Sequence, residues 1–167
     1  ISEFPDIKVL LTVDNGIAGK DTAEVAAERD ITMIVTDHHN VQDAVFPTLA
    51  YAVINPQQID CPYPENGLSG CGVAYKFIDA MVKYAIETDR KLPKGVTADY
   101  AEQWIDLVGI GTLCDVMSML SLENRSFVKR ALHRIRTNPR TGIKALCESS
   151  GWSYEFRWQE LTPMDIG

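Results

Sequence analysis

Thr32-Met33-Ile34-Val35-Thr36-Asp37-His38-His39-Asn40 is the stretch whose reading decides the fold. Thr32 to Val35 is an apolar run of strand length, and it carries a carboxylate and two of the chain's three histidines to its own end. Imidazole beside carboxylate suits Mn, Zn or Fe, and open α/β sheets place their ligands where parallel strands end. By itself the triplet also fits a surface Asp-His-His that starts a turn.

Upstream, Lys8-Val9-Leu10-Leu11-Thr12-Val13-Asp14 is another continuous apolar run, closed by the turn signal Asn15-Gly16. Asp21 followed by Glu24 predicts an N-cap with its capping-box partner, and Ala23 to Arg29 is good helix-forming sequence. Downstream, Ala52-Val53-Ile54-Asn55-Pro56 reads as a third short strand that a proline stops. Strand, helix and strand within about thirty residues form a βαβ unit with a right-handed crossover. Because the strands are apolar on both faces, the sheet is expected to be parallel and covered on both sides.

After the loop Gln57 to Gly70 the period changes. Val73, Phe77, Met81 and Ala85, with Ala74, Ile78 and Val82, make a stripe of helical spacing that ends near Asp89 and reads as core. A second helix carries Trp104, Ile105, Val108 and Ile110. A third starts near Ser121, buries Phe127, Ala131, Leu132 and Ile135, and is stopped by Pro139; a short helix near Gly142 to Ser149 follows. The fold class is therefore α/β, a parallel sheet flanked by helices: a βαβ-type metal-site part over 5–60 and a mainly helical part over 61–167.

The chain has 167 residues, 46% hydrophobic and 23% charged, an ordinary globular composition with room for one sizeable core. No apolar run approaches the roughly 18 residues of a membrane span, so no membrane partner is expected. Cys61, Cys71, Cys114 and Cys147 form no C-x-x-C, which excludes a zinc ribbon and points to free thiols in a cytoplasmic protein. Ile1-Ser2-Glu3-Phe4 reads as a cloning remnant, since Glu-Phe is what an EcoRI site encodes. The net charge of −7 argues against a protein basic enough overall to coat nucleic acid. Yet Arg125 to Cys147 holds seven Lys/Arg and no acid, leaving nine basic against 23 acidic residues elsewhere.

Asp14 stands at the end of the first strand and Asp37-His38-His39 at the end of the second. Exits of adjacent parallel strands lie about 5 Å apart, so these groups can share a metal site. Gly16 would let a backbone approach a phosphate closely, and a tight turn explains it equally. Asp115 sits in the otherwise apolar Gly109-Ile110-Gly111-Thr112-Leu113-Cys114-Asp115-Val116-Met117. Facing inward it needs a cation or donors beside it; the alternative is that it faces water at a helix break. Gly109 and Gly111 suggest close backbone packing. The basic stretch Arg125–Lys144 fits either a phosphate track for single-stranded DNA or a solvated helix face with favourable charge at a helix C-terminus. Tyr63, Trp152 and Trp158 are the aromatics nominated for base stacking, and His133 reads as a surface or boundary histidine.

These pieces together resemble the DHH phosphoesterase superfamily, most closely its RecJ-type single-strand-specific exonucleases. Thr12-Val13-Asp14-Asn15-Gly16 is similar to the second motif, and Asp37-His38-His39 is the triplet that names the superfamily. Leu68-Ser69-Gly70-Cys71-Gly72-Val73-Ala74-Tyr75-Lys76 resembles the glycine-rich segment that opens a helix. Gly111 to Met117, with Glu123-Asn124-Arg125, resembles the fourth motif, and Asn55-Pro56 with Cys61-Pro62-Tyr63-Pro64 is RecJ-like.

The resemblance implies two divalent ions, Mn²⁺ or Mg²⁺, clamping a phosphodiester and activating water. Asp14 is then the bridging ligand, His38 and Asp115 ligands of one ion, and His39 a contact to the phosphate or the second ion. Asp37 orients the histidines, and Asn15, Gly16, Ser69, Gly70 and Arg125 contact substrate. The family's first acidic motif and its C-terminal DHHA1-type domain are not found in this sequence. The expectation is thus a truncated DHH domain whose parent is a 5′-to-3′ exonuclease on single-stranded DNA, with replication or repair proteins as further candidate partners. This piece is expected to bind metal weakly and to have little activity. Two alternatives stay open: a phosphodiesterase for short oligonucleotides or cyclic dinucleotides, and a non-catalytic DHH-like scaffold that binds DNA or a replication protein.

Overall fold

The structure, a computed structural model, describes residues 6–150, 160 and 162–166. The readings placed on Ile1 to Phe4, Trp152 and Trp158 lie outside these residues. The chain divides into two compact units, Ile1–Ile78 and Asp79–Gly167.

In the first unit, β1 (Val9–Val13), α1 (Lys20–Glu28), β2 (Thr32–Thr36) and β3 (Ala52–Ile54) form a three-stranded parallel sheet in the order β1-β2-β3 with a helical crossover. Val13 pairs with Thr36, and Thr36 with Ile54, so the three strands end level with one another. The ladder runs one residue further, with Asp14 N donating to Thr36 O and Asp37 N to Ile54 O, both at 3.0 Å. Ala23 and Ala26 of α1 are small enough to lie against Met33 and Val35, and these residues with Ile31 form the buried core.

Two expectations change here. The sheet is parallel, but α1 covers one face of it; on the other, Val9, Leu11 and Val13 are 56%, 47% and 49% exposed. Alternation explains this: successive side chains of β1 point to opposite faces, and the edge strand is apolar on both. The N-cap of α1 is Gly19, not Asp21, and it makes no side-chain cap bond. The turn closed by Gly19 N to Gly16 O, at 2.9 Å, winds directly into the helix and starts it early, so Asp21 falls in the first turn.

Helix α2 (Gly70–Glu87) opens behind Ser69, whose Oγ accepts from Gly72 N at 3.3 Å and whose carbonyl accepts from Val73 N at 3.0 Å, a serine N-cap. The division between the units falls within this helix. Val73 and Val82 are buried as the stripe predicts, whereas Met81 is exposed.

The second unit is helical. A 3₁₀ segment (Tyr100–Trp104) leads into α3 (Ile105–Cys114), followed by α4 (Leu122–Thr137) and α5 (Thr141–Ser149). Trp104, the first residue expected in the second helix, thus falls in the tighter 3₁₀ turn. Ser121 caps α4 by accepting from Asn124 N at 3.1 Å, and α4 buries Phe127, Ala131, Leu132 and Ile135. Gly109 lets α3 lie directly on Ala131, since a Cβ there would overlap the alanine methyl. Among the described residues no helix is long and apolar enough to cross a membrane, and all four cysteines are free thiols.

Candidate metal centre

Asp14, His38 and His39 each offer one ligand atom, and those atoms lie within 4.8 Å of one another. The level strand ends bring them together. Asp14 takes the left-handed backbone, with φ 58°, which an aspartate tolerates better than most residues. That conformation turns its carboxylate back over the exit of β2, where Oδ1 meets His38 Nε2 at 3.0 Å.

The protonation of both rings follows from their partners. His38 Nδ1 lies 3.0 Å from the Leu68 carbonyl, which can only accept, so Nδ1 carries the proton. His38 Nε2 and Asp14 Oδ1 are then two acceptors face to face, an arrangement that calls for a cation, either a proton or a metal ion. His39 Nδ1 donates to Asp37 Oδ1 at 2.7 Å, which makes Nε2 the acceptor nitrogen of a ring that is 60% exposed. The two rings meet edge to face with centroids 4.5 Å apart.

Asp37 is buried and fully engaged. Its Oδ2 accepts from Ile17 N at 2.8 Å, and Oδ1 accepts from His38 N at 2.7 Å and His39 N at 3.2 Å. Burial alone is the largest influence on this carboxyl and pushes its pKa up. The Ile17 amide, the His39 ring and the His39 and His38 amides together outweigh it and hold the value below the ordinary one. A carboxylate behind an imidazole fixes the ring's tautomer and orientation for metal binding, so the chemistry of this donor set fits a divalent ion such as Mn²⁺.

The glycines beside the centre are steric requirements. Gly16 has φ 107°, and a Cβ there would meet Thr12 Oγ1 and Val35 Cγ1, so it is buried and makes the turn. Gly70 brings the first turn of α2 against Asp14: a Cβ would stand 2.5 Å from Asp14 Cβ and closer still to Cγ and Oδ1. Ser69 and Gly70 are buried at this edge, and Asn15 is exposed, its carbonyl held by Thr12 Oγ1 at 2.7 Å.

Asp115 belongs to the second unit, where it is the exposed C-cap of α3. Arg125, also exposed, donates from Nη1 to the Met119 carbonyl at 3.3 Å. Several other cations of the basic stretch are engaged by acids: Arg130 with Glu102, Lys144 with Glu148 at 3.8 Å, and both Arg134 and Arg140 with Asp106. The buried acid of this region is thus Asp106, which Arg140 Nε meets at 2.7 Å while its guanidinium stacks on Trp104, 4.4 Å from the ring centroid. Sequence reasoning missed Asp106 because its partner lies 34 residues away. It missed Asn55 too: this buried amide donates to the His39 carbonyl at 2.9 Å and accepts from Gln57 N at 2.8 Å. The signal for it was present in Asn55-Pro56, read there as a strand stop and as part of the RecJ-like pattern, with no role given to the amide.

Residues 2–112 match the model of the DHH family, N-terminal domain. Among curated proteins, the chain is 36% identical to the single-stranded-DNA-specific exonuclease RecJ of Dickeya dadantii over 144 residues, covering 86% of this chain and 24% of the relative. It is 34% identical to RecJ of Escherichia coli over 161 residues, covering 96% of this chain and 27% of the relative. The chain therefore spans about a quarter of the length of the curated relatives it matches. Among solved structures, exonuclease RecJ bound to manganese superposes with a TM-score of 0.71 at 25% identity, over 99% of this chain and 37% of that one. RecJ in complex with Mn²⁺ from Thermus thermophilus gives 0.69 at 26% identity, over 99% of this chain and 22% of that one. With a family match across most of its length and the Asp-His-His constellation at the level strand ends, the chain belongs to the DHH family.

Proposed function

We propose that this chain is the metal-site part of a divalent-metal-dependent phosphodiesterase, a 5′-to-3′ exonuclease on single-stranded DNA of the RecJ type, working in the cytoplasm with replication or repair proteins. The observation that carries the reading is the double anchoring of the histidines. Leu68 O holds Nδ1 of His38 and Asp37 holds Nδ1 of His39, which makes both Nε2 atoms acceptors of a cation beside Asp14. The manganese in two RecJ structures of similar fold supports the choice of Mn²⁺, with Mg²⁺ as the alternative hard ion.

In this reading Asp14, His38 and Asp115 would hold divalent metal, and His39 would hold metal or face the phosphate. Paired divalent ions supply an activated water and neutralise charge on the attacking and leaving oxygens. The protein's own part is to orient. Asp37 keeps the His39 ring in one tautomer, Leu68 does so for His38, and Gly70 allows the first turn of α2 to approach the place where a phosphate would sit. Amides at a helix N-terminus favour an anion there, which suits a substrate role for Ser69 and Gly70 beside Asn15 and Gly16. Arg125 adds a phosphate contact that carries no sequence information. Three clustered donors among the described residues are few for an ion that takes about six ligands, so this chain is expected to bind Mn²⁺ weakly and cleave little or nothing by itself.

Calorimetric titration with Mn²⁺ tests the centre. Binding is expected in the unsubstituted chain and is lost in Asp14→Ala and His38→Ala; equal heats from all three proteins would refute it. The substrate reading is tested on a full-length protein containing this chain, by comparing cleavage of long single strands with that of dinucleotides. Preference for dinucleotides would replace the exonuclease by a small-substrate phosphodiesterase.

A further inference from the structure

Beside the metal centre the first unit forms a cleft of about 1120 Å³, larger than the roughly 300–1,000 Å³ of a typical small-molecule site. Its wall is continuous with the histidines. Asn40 follows His39 in the chain, Leu68 of the cleft wall holds His38 through its carbonyl, and Asn55 ties the His39 carbonyl to the Gln57 amide. Phe46, Leu68 and Val73 give the cleft an apolar interior.

Its polar lining combines the amides of Asn40, Asn55, Gln57 and Gln58 with the carboxylates of Asp43 and Asp60 and the Lys76 ammonium. Gln58 donates from Nε2 to the Val53 and Asn55 carbonyls, each at 3.1 Å, which leaves its Oε1 as an acceptor. Gln57 donates one amide proton to Asn66 O at 3.0 Å, leaving a donor and an acceptor, and Asn40 adds one more exposed amide. The Tyr63 ring, 37% exposed, lies at the same cleft with the Lys76 ammonium 5.7 Å from its centroid.

We propose that this cleft holds the nucleobase of the nucleotide whose phosphate lies at Asp14, His38 and His39, a proposal that rests on the metal-centre reading above. A base has flat apolar faces and an edge of alternating donors and acceptors, and the cleft offers apolar walls, an aromatic ring and amide donors and acceptors to match. Stacking does not depend on the edge of the base, and the exposed Asn40 amide can turn to present either a donor or an acceptor, so the site accepts any of the four bases. An enzyme that removes nucleotides regardless of sequence needs that tolerance.

The test uses the 167-residue chain with calorimetry and four probes: Mn²⁺ alone, thymidine, thymidine 5′-monophosphate and deoxyribose 5-phosphate, the last two with Mg²⁺ present. Thymidine 5′-monophosphate is expected to bind at least about ten-fold tighter than the sugar phosphate that lacks a base, since base–aromatic stacking is worth that much or more. Tyr63→Ala should weaken the mononucleotide by on the order of ten-fold and leave the sugar phosphate unchanged. Equal affinity of the two phosphates for the unsubstituted chain overturns the proposal without reference to any variant. So does a Tyr63→Ala protein of unchanged circular dichroism that keeps full mononucleotide affinity. The Mn²⁺ and thymidine arms separate the two readings: a chain that takes Mn²⁺ and no thymidine overturns the cleft alone, and one that takes thymidine and no Mn²⁺ overturns the metal centre.

Discussion

Gly70→Ala is the sharpest single perturbation of this site, because it adds one methyl where α2 meets Asp14. The new Cβ would lie 2.5 Å from Asp14 Cβ and nearer still to its Cγ and Oδ1. No side-chain rotation of Asp14 relieves the first of these contacts, since a Cβ moves only with its backbone, and that backbone is already at φ 58°. The helix start or the β1 exit must therefore shift. Overpacking of this kind costs about 1–3 kcal/mol, while alanine in a helix returns up to about 1 kcal/mol relative to glycine. The net loss, about 0–3 kcal/mol, is within the roughly 5–15 kcal/mol stability of a folded domain. Metal affinity should suffer more, because displaced ligands lose at least the roughly 10–100-fold that removal of a supporting contact costs. The assay is calorimetric Mn²⁺ titration beside a thermal melt. Gly142→Ala in α5 is the control: a Cβ there meets nothing within 4 Å, so it should raise stability by up to about 1 kcal/mol and leave Mn²⁺ binding alone. A Gly70→Ala protein with unchanged Mn²⁺ affinity would show that α2 and Asp14 do not make this close approach.

Val116 takes φ 54° just after α3, where Met117 N donates to Thr112 O at 3.1 Å and Val116 N to Leu113 O at 3.0 Å, a Schellman ending with valine in glycine's place. The left-handed backbone costs an L-residue about 1–2 kcal/mol, so Val116→Gly should stabilise the chain by about 1 kcal/mol in urea unfolding; a loss of stability would contradict the strain. Asp106→Ala leaves Arg134 and Arg140 without their buried partner. Because both arginines reach solvent, the destabilisation should be about 2–4 kcal/mol, at or below the usual range for a broken buried pair, and an unshifted melt would rule it out. For Asp37, the folded-state pKa lies below the ordinary value of 3.8, so its hydrogen bonds stabilise the fold fully above that value and are lost as pH falls through the folded one. The stability gap between the native chain and Asp37→Asn, measured with chelator present, should therefore be widest near neutrality and close on acidification; a gap that widens towards low pH would reverse the sign of the argument.

The parallel exits were legible because two independent signals agreed. The apolar runs ended in Asp14 and in Asp37-His38-His39, and parallel register alone sufficed to put those ends side by side. The resemblance added the roles, and geometry supplied what it lacked, namely the proton positions on His38 and His39. What could not be read was anything set by tertiary context. The bare face of β1 looks in sequence like a face destined for cover, since Val9, Leu11 and Val13 are as apolar as the residues that are buried. Asp21 has good N-cap chemistry, but the turn at Gly16 to Gly19 set the helix start instead. Asp115 drew attention as an acid in an apolar stretch, while Asp106 in Ile105-Asp106-Leu107-Val108 is the buried one, held by arginines that only the folding of α4 and of Arg140 supplies.

The anchors of the centre are mostly main chain, and this bears on how the site keeps its shape before any ion arrives. Leu68 O holds His38, the amides of Ile17, His38 and His39 hold Asp37, and Asp14 N is bonded to Thr36 O. Main-chain anchors move only when strands or turns move. A slip of β1 by one residue would turn Asp14 to the opposite face of the sheet and carry Leu10 out of the core beside Met33. Hydrophobic register and ligand geometry are thus one constraint: the burial that fixes β1 against β2 also fixes the distance between Asp14 and His38. Substitutions in the core under α1, such as Met33→Ala, should therefore weaken Mn²⁺ binding in proportion to the stability they remove, although Met33 precedes the Asp-His-His triplet and is no ligand. Titration of Met33→Ala beside its thermal melt checks this, and a destabilised protein with undiminished Mn²⁺ affinity would separate register from ligand geometry.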